Sequence, residues 1–236
     1  MVKFKILLQK AYRIYGTVAQ EMKFSLKRFA VTLFAVILVA SLTIVFFNTQ
    51  SAAADVVRVA CVGDSITSDT NYPEVLSTML GDNYTVGDFG VGRTTVSLQF
   101  NKPYMNQPAC QSAQKFNPDI VVIMLGTNDA YLSQQERSNF VEDYKTLIAA
   151  FQSLASSPEI YIATPPPVFA NLMGLNATIL DNEVRPLVDQ TATDLGLSTI
   201  DTCTSLLDNP EYFPDGVHPN TDGAQALALK IYNTII

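Results

Sequence analysis

The chain contains one histidine, His218, in the stretch FPDGVHPNTDGAQAL near the C-terminus. Asp215 lies three residues before it, and Ser65 lies far upstream in the stretch GDSIT. A serine hydroxyl is a weak nucleophile until a base takes its proton, and an imidazole, which titrates near neutral pH, suits that work. A carboxylate on the second ring nitrogen fixes the tautomer and stabilises the imidazolium. These residue types predict catalysis by Ser65 as nucleophile, with His218 as general base and Asp215 as its partner.

Acyl transfer through a serine also needs hydrogen-bond donors for the oxygen that becomes negatively charged. The sequence offers the backbone N–H of Ser65, a backbone N–H in GVGRTT, and the side-chain amide of Asn128 in GTND. An asparagine amide donates without bringing a charge that would have to be buried. We therefore expect an oxyanion hole formed by Ser65, Asn128 and a residue of the GVGRTT segment.

Each of these segments has an ordinary structural interpretation when it is taken alone. A serine that begins a helix is more often an N-cap than a nucleophile, and GTND is typical of a turn that ends a strand. A lone histidine is more often a structural residue. The catalytic interpretation rests on the combination, which requires a fold that brings the segments together.

Short apolar segments alternate with longer amphipathic ones, a pattern typical of the α/β class, in which helices cover a parallel sheet. The predicted strands are Val56–Val62, Tyr84–Val91, Asp119–Leu125, Glu159–Pro165 and Leu197–Asp201, and the predicted helices are Pro73–Leu80, Ala109–Phe116, Glu136–Ala155, Asp181–Leu195 and Thr221–Ile235. Ligands bind such sheets beyond the carboxyl ends of the strands. Because GDSIT, GVGRTT and GTND each follow a predicted strand, we expect these segments and the His218 loop to meet at that edge.

The four blocks GDSIT, FGVGRTT, GTND and DGVHP together resemble the SGNH, or GDSL, hydrolase family. Longer stretches, among them NYTVGDFGVGRTT, KPYMNQP and ATPPPVF, are similar to the bacterial branch often described as sialate O-acetylesterase-like. The resemblance covers roughly residues 56–236. It implies a three-layer α/β/α, flavodoxin-like fold with five parallel strands in the order 2-1-3-4-5. It also implies ester hydrolysis through an acyl-enzyme with no metal or organic cofactor.

Two positions depart from the pattern of this family. Asp88 stands where the second block usually opens with asparagine. The oxyanion glycine is ambiguous in register, since it is Gly92 if one residue is deleted, whereas Arg93 occupies the place without a gap. We prefer Gly92, because close approach of a substrate favours a residue without a side chain.

Five residues are predicted to contact the substrate around this site. Asp64 and Arg93 adjoin the serine and the oxyanion segment, while Tyr104, Pro166 and Phe169 lie in loops that follow the second and fourth predicted strands. Ordinary loop packing is the alternative for the loop residues.

The N-terminal part differs from the rest of the chain in charge and hydropathy. Residues 1–28 carry seven basic side chains and one acidic one, and the apolar stretch Phe29–Phe47 has no charge. Residues 29–54, which end in the small residues Ala52 and Ala54, are typical of a signal peptide core with a candidate cleavage site after residue 54, or of a membrane anchor if uncleaved. Met22 is an alternative start. We expect a secreted or extracytoplasmic, membrane-anchored protein whose hydrolase domain is residues 55–236.

Residues 55–236 carry 8 basic and 21 acidic side chains. Such a surface repels nucleic acid, so no nucleic-acid partner is expected. Together with the predicted export and the acidic charge, the resemblance to the sialate O-acetylesterase-like branch implies an acetylated carbohydrate as the substrate. A lysophospholipase or thioesterase is the alternative enzyme, and an inactive, surface-tethered binding module is the alternative from another class.

The three cysteines of the chain are an odd number. Cys61 lies in an apolar segment and is expected to be buried, while Cys110 and Cys203 either pair in an oxidising compartment or stay free. No cysteine or histidine spacing predicts a metal site.

Overall fold

The computed structural model of the protein describes residues 2–48 and 56–236. The chain divides into two units, residues 1–53 and residues 54–236. In the first unit a single helix, α1 (Val2–Asn48), contains the basic segment and the apolar stretch. Among the helices within the described ranges, none combines the length and the apolar character that crossing a bilayer requires. The candidate cleavage site after residue 54 lies outside the described residues.

The second unit is built on a sheet of five parallel strands in the order β2-β1-β3-β4-β5, as the resemblance implied. The strands are β1 (Val57–Gly63), β2 (Tyr84–Gly90), β3 (Ile120–Met124), β4 (Glu159–Ala163) and β5 (Ser198–Ile200). The register pairs Gly63 with Gly90 and with Met124, so three strands end at the same level. The loops that follow these strands therefore start side by side.

The helices of this unit cover both faces of the sheet, and side-chain alternation along the strands supplies two cores. Ala60 and Val62 of β1 belong to one buried cluster, whereas Val59 and Cys61 belong to the other. The helices are α2 (Ser65–Ser68), α3 (Tyr72–Leu80), α4 (Pro108–Lys115), α5 (Phe140–Gln152), α6 (Ala177–Ile179), α7 (Arg185–Leu195), α8 (Thr202–Leu206) and α9 (Thr221–Ile235). A buried face on each side of the sheet is what makes the strands nearly continuously apolar.

Two helices differ from their predicted bounds for local reasons. The segment before α5 is a turn, because the Glu136 carboxylate accepts hydrogen bonds from the backbone N–H and the hydroxyl of Ser133. The helix predicted to begin at Asp181 instead begins at Ala177 and passes through one π-helical turn, Leu180–Val184, before α7. Hydrophobic spacing indicates neither the turn nor the change of helix type.

The described part of the chain contains no disulfide, because Cys61, Cys110 and Cys203 are all free thiols. Cys61 and Cys110 are buried, and burial raises the pKa of the Cys61 thiol to about 12. The pairing of Cys110 with Cys203 that the sequence left open is therefore absent.

Candidate active site

Ser65 is the first residue of the short helix α2, directly beyond the end of β1. Asp64 caps this helix, since its Oδ1 accepts the backbone N–H of Ile66 at 3.0 Å. The first N–H groups of a helix have no acceptor inside the helix, so the N–H of Ser65 is available to a ligand. The local sequence thus places a hydroxyl and a backbone donor together at the edge of the sheet.

A continuous chain of hydrogen bonds joins Ser65, His218 and Asp215. The Ser65 Oγ lies 2.8 Å from His218 Nε2, and His218 Nδ1 lies 2.8 Å from Asp215 Oδ2. Both distances are within the range for proton transfer to a base and for a carboxylate that orients it. The structure thus brings together the three side chains that the sequence predicted would act as one unit.

The Asp215 carboxylate is held by the loop that carries the histidine. Its Oδ1 accepts the backbone N–H groups of Val217 at 2.8 Å and His218 at 2.7 Å. Partial burial acts to raise the pKa of Asp215, but these hydrogen bonds and the contact with the His218 ring lower it overall. The side chain stays 40% exposed, and it remains ionised beside the imidazole.

Gly216 lies between the acid and the base and ties their loop to the loop that follows β4. The backbone N–H of Phe169 donates to the Gly216 carbonyl at 2.8 Å. Gly216 has a φ of 79°, and a Cβ at this position would lie 2.4 Å from the Ala170 carbonyl oxygen. A side chain is therefore excluded both by backbone conformation and by space.

The oxyanion segment after β2 is a turn that closes with a hydrogen bond from Thr94 N–H to the Val91 carbonyl at 3.3 Å. Gly92 borders Ser65, since a Cβ on Gly92 would lie 3.7 Å from the Ser65 Cβ. Arg93 has a φ of 65°, the left-handed value that a type II turn needs at its third position. Lys102 holds the segment, because its Nζ donates to the Gly92 carbonyl at 2.6 Å.

Asn128 lies opposite, on the 3₁₀ helix Thr127–Tyr131 that follows β3. Its Nδ2 donates to the Thr94 carbonyl at 3.0 Å and, at the longer distance of 3.4 Å, to Asp64 Oδ2. The sequence predicts an Asn128 amide that donates to an oxyanion. In the structure both amide hydrogens already face protein acceptors, and the weak bond to Asp64 is the one a ligand displaces at the lower cost.

Two buried carboxylates behind Asn128 fix this side of the site. Asp129 accepts the backbone N–H groups of Val96 and Ser97, each at 2.9 Å, and so anchors the chain that follows the oxyanion turn. Burial raises the pKa of Asp64 to about 6 and that of Asp129 to about 7, and in each case backbone hydrogen bonds offset only part of the effect. Sequence reasoning missed Asp129, although it directly follows Asn128 in GTND.

Ser65 and His218 open into a cavity of about 720 Å³. Gly92, Arg93 and Asn128 also line it, as predicted from the sequence. The other lining residues are Asp69, Phe100, Lys102, Thr127, Tyr131, Met173, Leu175 and Val217. Most of these were not predicted, because they lie in loops, where spacing does not indicate which way a side chain points.

One side of the cavity belongs to the loop after β4. The Asn171 side chain ties this loop together, since its Nδ2 donates to the carbonyls of Phe169 and Leu175, each at 3.0 Å, and its Oδ1 accepts the Leu175 N–H at 3.1 Å. Met173 and Leu175 present an apolar surface to the cavity. The wall is thus an ordered loop connected to the His218 loop through Gly216.

Four of the five predicted substrate contacts do not line this cavity. Tyr104 is fully buried, and its hydroxyl donates to the Phe89 carbonyl at 2.6 Å. The Pro166 carbonyl accepts a hydrogen bond from the buried Arg185, and Phe169 packs on Phe213 with ring centroids 5.3 Å apart. Asp64 is a buried helix cap. Arg93 is the one predicted substrate contact that lines the cavity.

The geometry agrees with what comparison with known proteins shows. A model of the GDSL-like Lipase/Acylhydrolase family matches residues 61–226. This range includes the whole site, from the end of β1 to the C-terminal helix.

This chain is similar to an esterase in sequence and to further esterases in structure. The acetylxylan esterase of Xylanibacter ruminicola is 34% identical over 74% of this chain, and the chain spans only 42% of that relative's length. The solved acetyl xylan esterase AlAXEase has a TM-score of 0.63 at 21% identity, covering 76% of this chain and 100% of its own. A carbohydrate acetylesterase family member from Sinorhizobium meliloti has a TM-score of 0.60 at 20% identity, covering 76% and 97%. At these identities the two structures support the fold.

Proposed function

We propose, since this chain belongs to the GDSL-like Lipase/Acylhydrolase family, that it is a serine esterase that removes acetyl groups from carbohydrates. The observation that carries the proposal is the unbroken chain from Asp215 through His218 to Ser65 at the edge of a cavity. The family alone leaves the substrate open, because one fold serves many reactions.

In the proposed reaction, His218 Nε2 takes the Ser65 proton while Ser65 Oγ forms a bond to the ester carbonyl carbon. The resulting imidazolium is stabilised by Asp215, and it returns its proton to the sugar oxygen as the bond between that oxygen and the carbonyl carbon breaks. Water then repeats the sequence on the acyl-enzyme, giving acetate and free Ser65. Attack by Ser65 uses both 2.8 Å contacts of the free protein, and the contact between His218 and Asp215 serves every proton transfer.

The oxyanion donors in this proposal are the backbone N–H groups of Ser65 and Gly92 and the amide of Asn128. The N-terminal position of Ser65 in α2, the proximity of Gly92 to Ser65, and the presence of Asn128 in the same cavity support these roles. Backbone donors held in place before the reaction stabilise the developing charge without the cost of reorganisation, whereas the Asn128 amide first gives up its weak bond to Asp64.

The choice of an acetylated sugar rests on the relative that is an acetylxylan esterase. A second candidate is a lipolytic or thioesterase activity, which the apolar wall of Met173 and Leu175 favours. A series of 4-nitrophenyl esters of increasing acyl length separates the two. The esterase proposal expects kcat/KM to be highest for acetate, and a maximum at long chains would favour the lipolytic alternative.

The central test replaces the nucleophile in the full-length protein. Ser65→Ala is expected to abolish release of acetate from acetylxylan and from 4-nitrophenyl acetate, with an unchanged circular dichroism spectrum. Ser153→Ala is a matched control, because the exposed Ser153 hydroxyl bonds to the Ala150 carbonyl at the end of α5 and does not line the cavity. Wild-type activity in purified Ser65→Ala would overturn the mechanism. If the wild-type protein neither reacts with a fluorophosphonate probe nor cleaves an ester, the inactive binding module is the correct interpretation.

Export of the protein stays a prediction from the basic and apolar N-terminal residues. Separating the cell fractions of the source organism and sequencing the N-terminus of the isolated protein test it. A first residue of Asp55 in extracytoplasmic material would support cleavage, and a cytoplasmic protein with an intact N-terminus would contradict export.

A further inference from the structure

Basic side chains are scarce in the acidic second unit, and half of them have a charged partner. Four of the eight basic residues within 56–236 form ion pairs, namely Arg58, Arg137, Lys145 and Arg185. Lys115 and Lys230 lie away from the cavity. The remaining two, Arg93 and Lys102, both line the cavity beside Ser65 and form no ion pair with any residue in the described part of the chain.

Both of these cations are placed by the backbone of the oxyanion turn. Arg93 occupies the left-handed position of the turn, next to the glycine that borders Ser65. The Lys102 ammonium donates one hydrogen bond to the neutral Gly92 carbonyl at 2.6 Å. An ammonium group has three donors, so two remain for a ligand. Two positive groups are thus held close to the nucleophile.

The charge of the Arg93 guanidinium also affects the pKa of Tyr131, which lines the same cavity. Burial raises the pKa of the Tyr131 hydroxyl, and the charge of Arg93 offsets part of that effect. Tyr131 is 46% exposed and lines the same cavity. Arg93 and Tyr131 therefore face the same cavity.

The negative groups near these cations form no ion pair with them. Asp69 is the one acidic side chain among the described residues that line the cavity, and it accepts a hydrogen bond from the Ser68 hydroxyl at 2.5 Å. Asp215 is occupied by His218 and two backbone N–H groups. Two cations thus face one carboxylate inside a unit whose surface is strongly acidic.

We propose that Arg93 and Lys102 form a subsite for a negatively charged group, a carboxylate or a phosphate, on the sugar that carries the acetyl ester. The inference rests on the proposed esterase function and names its substrate class. An acidic unit repels anions at long range, so an uncharged substrate would give no reason for two unpaired cations at the mouth of the site. Arginine and lysine are the side chains that bind carboxylate and phosphate oxygens with charge-assisted hydrogen bonds.

The test uses three acetyl esters on the same sugar skeleton. These are the 3-O-acetyl esters of methyl glucoside, of methyl glucuronide, and of methyl glucoside 6-phosphate, which differ only at carbon 6. We expect at least one anionic ester to exceed the neutral one in kcat/KM by about tenfold at low salt, mainly through KM, because only an anionic group forms charge-assisted hydrogen bonds with the two cations. High salt should shrink that ratio. Whichever anionic ester is preferred identifies the group.

Variants separate the subsite from general effects of charge. Arg93→Gln and Lys102→Gln should each lower the ratio of anionic to neutral kcat/KM, and the double variant should bring it to about 1. Arg93→Lys should retain part of the preference, since it keeps the charge. Lys115→Gln removes an exposed positive charge of the same unit away from the cavity and should leave the ratio unchanged.

Failure of the subsite and failure of the proposed function give different results. Equal kcat/KM for the three esters in the wild-type protein overturns the subsite while the esterase proposal stands. If neither these esters nor 4-nitrophenyl acetate and acetylxylan are cleaved, the esterase proposal fails, and binding of the same esters to the Ser65→Ala protein by calorimetry still decides the subsite. Tighter binding of an anionic ester there supports the subsite, and equal dissociation constants overturn it.

Discussion

The two sides of the active-site cavity hold their aspartates in opposite ways. On the His218 side, Asp215 is half-exposed and its pKa is lowered. On the Asn128 side, Asp64 and Asp129 are buried and their pKa values are raised to about 6 and about 7. The first arrangement maintains a charge that an imidazolium needs. The second uses carboxylates as acceptors that fix backbone and amide groups. Aspartate thus provides a negative charge for the histidine on one side of the cavity. On the other side it accepts hydrogen bonds that hold backbone and amide groups in position.

The largest effect should come from removing the charge on the His218 side. Asp215→Asn can keep its carbonyl oxygen on the two backbone N–H groups, but its amide then faces Nδ1 and forces the proton onto Nε2. His218 can no longer accept the Ser65 proton, so we expect kcat to fall on the order of 10³–10⁴-fold. Steady-state kinetics on 4-nitrophenyl acetate measure this loss. A fall below tenfold in a folded variant would show that the charge of Asp215 is dispensable.

On the opposite side, Asn128→Ala removes the amide that links the oxyanion turn to Asp64. We expect kcat to fall about 10²–10³-fold with little change in KM, because an oxyanion donor acts in the transition state. The measurement is kcat and KM for an acetyl ester, with the unfolding midpoint as the control. A rise in KM at constant kcat would instead assign Asn128 to ground-state binding.

The buried carboxylates should make stability depend on pH in the sense opposite to that of Asp215. Between about pH 4 and pH 7 the folded protein binds more protons at Asp64 and Asp129 than the unfolded chain does, because unfolded aspartates titrate near 3.9. The free energy of unfolding should therefore decrease as pH rises through this range, by on the order of a few kcal/mol, since one pKa unit is about 1.4 kcal/mol. Denaturant titrations at pH 5, 6 and 7 measure it. Stability that rises steadily from pH 5 to pH 7 would contradict the buried state of these groups.

The smallest effect on activity is expected at Tyr104, which the structure places in the core. Tyr104→Phe removes the donor to the Phe89 carbonyl and should reduce the free energy of unfolding by about 1–2 kcal/mol. Its kcat/KM should stay within about twofold of the wild-type value. A tenfold loss of kcat/KM without a loss of stability would indicate that Tyr104 contacts the substrate, as the sequence predicted.

The sequence predicted the alternation of strands and helices and the meeting of Ser65, Asp215 and His218, while the order of the strands came from the family resemblance. Strand periodicity and a parallel sheet determine where each loop begins, and the three side chains lie at loop starts or in a short turn that holds itself together. The family resemblance then assigned roles to the blocks. Those parts of the site that follow directly from backbone topology could therefore be predicted from the sequence.

The parts that failed depend on side-chain direction inside longer loops. Tyr104 and Phe169 follow strands at the correct edge, yet both turn inward, because each finds a partner in the core, the Phe89 carbonyl and the Phe213 ring. Asp129 was overlooked because a buried carboxylate is rare and its partners, Val96 and Ser97, are distant in sequence. Such pairings follow from tertiary packing, which a single sequence does not display.

The hydrogen bond between the Phe169 N–H and the Gly216 carbonyl ties one rim of the cavity to the loop that carries the acid and the base. Outward rotation of the segment with Met173 would pull on the residue next to Asp215 and disturb the orientation of the imidazole. Widening the cavity on this side and keeping His218 aligned are therefore competing demands on the same backbone.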